Sequence, residues 1–188
     1  MKALTLHQPW ATAVANFGKR VENRTWAPPP SLVGRRLAIH AGKTWDREGA
    51  RLLAERFGFR WTKELEAAFP RGAVVAVATL VGTLPFPACG QRPEYSRLVA
   101  AERDSWWFTG PIGWVLADVV PIASVPSPGR QGLWTLSDEA ERAVVEAERF
   151  GTMLEARAWG EPTQADLDFV KARDSLKAIV LRGCGGLR

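Results

Sequence analysis

Residues 72–84, GAVVAVATLVGTL, carry no charge and consist mostly of small and β-branched apolar side chains. A run of this kind has no polar face to offer water, so it reads as a strand buried on both faces. GWVLADVVPI, residues 113–122, reads the same way. Two such strands demand a real core, and 188 residues are enough for one domain with an appendage.

The remaining elements surround this pair. KALTLH predicts a short strand over residues 2–6, and PWATAVANFG a short helix with proline in its first turn and glycine at its end. Trp10, Ala13, Val14 and Phe17 lie at helical spacing. RVENRTW predicts a strand with Glu22, Arg24 and Trp26 on one face and Val21, Asn23 and Thr25 on the other. RRLAIHAGK predicts another, with Leu37, Ile39 and Ala41 opposite Arg36, Ala38 and His40. DREGARLLAERFG and TKELEAAF predict helices, and a further helix is expected near residues 94–103. After residue 136 the pattern turns helical: SDEAERAVVEAERF is capped by Ser137, and TQADLDFVKARDSLKAIVLRG begins helical and ends in either helix or strand. The expected architecture is α+β: a small, strongly curved sheet closed as a β-barrel, with surrounding helices, over residues 1–136. Residues 137–188 form a mostly helical extension packed on it.

Charge is unevenly placed. Residues 1–43 hold seven basic side chains against one acid, Glu22, while the rest of the chain holds 18 against 19. An anionic partner at that end is the functional reading, and a solvated arginine-rich surface the bland one. The two histidines and the widely separated Cys89 and Cys184 offer no zinc spacing, so neither a metal nor a cofactor is expected. Reduced thiols and the absence of a leader after Met1 point to the cytoplasm, and no apolar run is long enough to place the chain in a membrane.

HQPWATAVANFGKRVENRTW, residues 7–26, concentrates the chemistry. Lys19 and Arg24 flank Glu22 and can hold its carboxylate oriented, to accept from a base amine or to activate water. The alternative is a surface ion-pair cluster of little energetic value. His7 and Gln8 follow as pocket candidates, the Gln8 amide being able both to donate and to accept. His40 joins them, with Gly42 allowing close backbone approach and Lys43 adjacent. Trp10 and Trp114 are candidate stacking walls. Trp106 and Trp107, in SWWFTGPIG, suggest a rim over a cleft, with core packing as the alternative. Arg130 and Gln131, in PGRQGLW, have ends suited to phosphate or base contact.

LTLHQPWATAV followed by Lys19-x-x-Glu22-x-Arg24, with GRRLAIHAGK, GPIGWVLADV and GRQGLW further on, resembles the ASCH domain, the module named after the activating signal cointegrator. The resemblance covers roughly residues 1–136. It implies a PUA-like fold with a cleft between barrel and helix, and recognition of RNA, or of a modified base or nucleoside, in a basic cleft. The expected contacts are His7, Gln8, Trp10, Lys19, Glu22, Arg24, His40, Lys43, Trp114 and Arg130. Some small members of the family are amidohydrolases that remove acetyl from acetylcytidine, and ribonuclease activity is also associated with it. A metal-independent hydrolase using Lys19 and Glu22 is therefore the main alternative, and a protein-interaction module a third. Two departures stand out. Phe17 occupies the place of the family's usual glycine, with Gly18 adjacent. Glu22 stands where the acetylcytidine enzymes carry the threonine assigned as nucleophile.

Overall fold

The computed structural model describes residues 1–88 and 90–156. It is α+β, built on one six-stranded mixed sheet. The uncharged run forms β4, Ala73–Leu84, buried at every position. It lies between β5, Ile112–Pro126, and β3, Arg36–Trp45, antiparallel to both. The β4–β5 register shifts at three places, and such irregularities bend and twist a strand pair. β1, Lys2–Gln8, runs parallel to β3 and pairs on its other side with β6, Leu133–Thr135. β2, Val21–Arg24, pairs with β5 at the far edge.

The strand order is β2-β5-β4-β3-β1-β6, and among the described residues it does not close into the expected barrel. The edges are four-residue β2 and three-residue β6, and they do not pair with each other, so the sheet is open among the described residues. Blocked edges are the other common way for a small sheet to end, and strands this short present few free backbone groups.

Strand parity sorts the core. Leu4, Leu6, Leu37, Ile39 and Ala41 pack with Leu80, Trp114 and Leu116 beneath α1, Trp10–Asn16. Ala3 and Ala38 face the other way, with Val74, Val77 and Trp134, under α5, Asp138–Ala156. A third cluster holds Phe17, Val81, Phe69 and Trp107 beneath α2, Arg47–Phe57. Asp46 caps α2 by accepting from Gly49 N at 3.0 Å, and Gly58, at φ +68°, ends it. Leu53 is its fully buried anchor, and burying such a side chain contributes about 1.5–3 kcal/mol. Two shorter helices, α3 (Lys63–Ala67) and α4 (Ser96–Ala101), fall where helices were expected.

Of the predicted extension, α5 is described. Ser137 Oγ accepts from Ala140 N, and Val144, flanked by Ala140 and Ala147, is buried on the sheet. Residues 163–183, expected to begin helical and end in either helix or strand, lie outside the described residues, as do Cys89 and Cys184. Among the described residues no helix is long and apolar enough to cross a membrane.

Candidate functional site

α1 closes against β2 through a tight reversal. Phe17 turns into the core and Gly18 adopts φ +71°, a conformation that costs other residues a steric clash. Lys19 N then bonds Ala13 O at 3.1 Å, and the lysine side chain points inward rather than to solvent. It is 3% exposed, and its Nζ donates to Val21 O at 2.5 Å and to Glu22 Oε2 at 2.6 Å. Glu22 Oε1 faces Arg24 Nη2 at 3.2 Å, as residues two apart on a strand should. Arg24 Nη2 also donates to Thr5 O at 3.0 Å, tying edge strand β2 to β1.

This array floors a cavity of about 790 Å³. Thr5, Leu6 and His7 contribute from β1, Trp10 from α1, and Asp46, Leu52, Glu55 and Arg56 from α2 and its cap. Trp106, Trp107 and Thr109 close the opposite side. Trp10 is clamped by the first turn of α2: its Nε1 donates to Asp46 Oδ2 at 2.7 Å, and a Cβ on Gly49 would stand 2.6 Å from its Cε2. Trp10 and Trp107 meet edge to face with centroids 6.4 Å apart, and Trp106 lies on Trp107 at 3.6 Å. Trp106 is 38% exposed and Trp107 8%, so the pair splits into a rim and a wall. Burial would raise the Asp46 carboxyl, but hydrogen bonds from Gly49 N and Trp10 Nε1, with the nearby His7, outweigh it and hold the group below the usual carboxylate range.

His7, Trp10, Lys19, Glu22 and Arg24 therefore converge as expected; five other candidates do not. Gln8 is fully buried, its amide donating to Thr12 Oγ1 and Pro70 O and accepting from Thr12 N, so it joins β1 to α1. His40 is buried on the α5 side of the sheet, with Nε2 on Ser127 O at 3.0 Å, Nδ1 3.3 Å from Thr5 Oγ1, and its ring against Trp134. Trp114 is core, with Nε1 donating to Trp26 O at 3.1 Å. Lys43 and Arg130 are exposed away from the cavity lining.

The expected basic cleft is also corrected. Lys19, Arg24 and Arg56 are matched by Glu22, Asp46 and Glu55 among the lining residues. Arg36, part of the N-terminal positive excess, is held by Glu148, Thr79 Oγ1 and Asp118 O. Asp46, Asn23, Thr109 and the α2 residues were not foreseen in the cavity; Asp46 was visible only as the start of a helix. Among the described residues no group of three or more His, Cys, Asp or Glu side chains is placed to hold a metal ion.

The chain matches the ASCH domain over residues 4–119, a span that contains every cavity-lining residue. Two solved structures from Zymomonas mobilis are similar to it. The ASCH protein is 20% identical, with 77% of this chain and 93% of that one covered and a TM-score of 0.42. A serine-to-alanine mutant of ZmASCH is 17% identical, with 77% and 94% covered and a TM-score of 0.43. No curated protein matches the chain.

Proposed function

The chain belongs to the ASCH domain family, and on that premise we propose that it binds RNA, or a modified base or nucleoside, by taking one uncharged base into the cavity. The observation that carries the reading is the buried Lys19–Glu22 pair, with half-buried Arg24 beside it, beneath indole walls. An ammonium beside a carboxylate offers a donor for a base carbonyl and an acceptor for an exocyclic amine. Hydrogen bonds to charged groups contribute about 1.5–3 kcal/mol each, and stacking on an indole about 1–3 kcal/mol per base. The balanced charge of the lining favours a base over a phosphate chain. In an RNA the phosphates would lie outside the cavity. A nearly fully buried Lys19 lining a cavity of about 790 Å³ also speaks against the interaction-module reading, which expects a shallow cleft.

Glu22 beside Lys19 at the floor supports a second reading, amide hydrolysis. Direct attack by the carboxylate on an amide would form a mixed anhydride, so Glu22 works through water. It takes a proton as the water oxygen bonds to the acyl carbon, and Lys19 holds the developing oxyanion. The C–N bond then breaks as Glu22 returns the proton to the leaving nitrogen.

Calorimetric titration with cytidine, acetylcytidine and a short single-stranded RNA, with chromatography of the products, separates the readings. A reader binds and consumes nothing, and Lys19→Met or Glu22→Gln weakens it by at least about tenfold. Deacetylation by wild type that Glu22→Gln abolishes establishes the hydrolase. No binding and no turnover with any of the three defeats both.

A further inference from the structure

Asparagine is a poor strand former, yet Asn23 sits inside β2, paired with Gly113 of β5. Its side chain spends both polar atoms on one loop. Nδ2 donates to Trp107 O at 2.8 Å, and Oδ1 accepts from Thr109 N at 3.0 Å. The two backbone groups lie two residues apart, so the amide acts as a substitute strand partner for residues 107–109. The same loop is seated by Phe108, which fills the space a side chain at Gly113 would need: a Cβ there would lie 2.9 Å from Phe108 Cδ2. Within the loop, Phe108 N bonds Ser105 O at 2.9 Å and Trp107 N bonds Ser105 Oγ at 3.3 Å. Those bonds shape the turn but do not attach it to β2. The side-chain hydrogen bonds that join the loop to β2 come from Asn23, which stands between Glu22 and Arg24 of the floor.

We infer that Asn23 is a positioning residue: its carboxamide fixes the Trp106–Trp107 wall at a set distance from the Lys19–Glu22–Arg24 floor. The chemistry requires an amide. An aspartate keeps the acceptor for Thr109 N–H but sets a carboxylate against the Trp107 carbonyl, and alanine removes both bonds. The consequence for ligand rests on the base-binding reading; the positioning itself does not.

The test uses the full-length chain as wild type, Asn23→Ala and Asn23→Asp. Amide exchange at Thr109 is compared with exchange at Val115 and Leu116 of β5, and the proximity of the Trp10 and Trp107 rings is followed by nuclear Overhauser effects. Positioning predicts that Asn23→Ala accelerates Thr109 exchange by about tenfold or more beyond any change in β5 and weakens the Trp10–Trp107 contact, with Asn23→Asp in between. Thr109 exchange that is unchanged, or that rises only in step with β5, overturns it, because the asparagine is then structural in the ordinary sense. If Asn23→Ala fails to fold, the Asn23→Asp comparison decides on the same criterion. Cytidine and short-RNA titrations run in parallel are read separately: wild type that binds neither counts against the base-binding reading and leaves the Thr109 result standing.

Discussion

Removing Glu22 strands Lys19. The ammonium is 3% exposed and rests on two acceptors, Val21 O and Glu22 Oε2. Glu22→Ala leaves the carbonyl and the Trp10 ring, 5.8 Å from Nζ at its centroid, and breaking a buried ion pair from one side costs about 3–5 kcal/mol. For a chain of this length each kcal/mol lowers Tm by about 2–4 °C, so a drop of roughly 6–20 °C is expected. Arg24 loses Glu22 as well, but it is more exposed and keeps Thr5 O, so its share is small. The double variant Lys19→Met, Glu22→Met removes the stranded charge together with its partner, and most of the stability should return. Base binding should not, because the polar floor is gone. Thermal and urea unfolding by circular dichroism, with cytidine and RNA titrations on the same samples, measure both. A single variant that loses less than about 1 kcal/mol, or a double variant no more stable than the single, refutes the ion-pair argument. A stable double variant that still binds moves the site elsewhere.

Gly49→Ala should destabilise by about 1–3 kcal/mol and shift tryptophan emission, because the new methyl meets the Trp10 indole; alanine improves helix propensity, so equal or higher stability would refute the clamp. Burial lowers the His40 pKa below 6.5, against the opposing hydrogen bond to Ser127 O. The unfolded chain then takes the proton first, so the His40 contribution is intact above about pH 6.5 and is lost as pH falls through the folded pKa. Urea midpoints between pH 7.5 and 5 should fall with acidification, and less steeply in His40→Gln; an NMR titration placing His40 at or above 6.5 would contradict this. Gly151→Ala should lift α5 from β5, since a Cβ there would lie 2.6 Å from Pro121 O, a backbone atom that cannot easily yield. Faster proteolysis within α5 and a lower Tm are expected, and an unchanged cleavage rate would show that the helix tolerates the displacement.

His7 and His40 show where sequence reasoning reaches and where it stops. Both stand in strands, and for His40, between Ile39 and Ala41, period two places the ring on the face opposite those apolar neighbours. Period two does not say whether the opposite face is covered. The face carrying His40 lies under Trp134 and the 127–130 loop, where Gly129 leaves room for the ring: a Cβ there would lie 2.8 Å from its Nδ1. His7 sits near the end of β1, exposed beside the cavity. Lys19, Glu22 and Arg24 were legible because their meeting is local, across one turn and along one strand. Asp46 and Trp10 are joined over 36 positions, and Asn23 and Thr109 over 86, so no spacing within a segment could reveal them. Closure of the sheet is likewise a long-range pairing of edges, on which the alternation within each strand is silent. Charge behaves the same way. The N-terminal excess is real along the chain, but Arg36 finds Glu148 112 positions away, and α2 brings Asp46 and Glu55 to the cavity as well as Arg56. On the base-binding reading proposed above, a partner drawn by net charge would meet the outer surface first, and the balanced lining would select for hydrogen-bonding pattern and flatness.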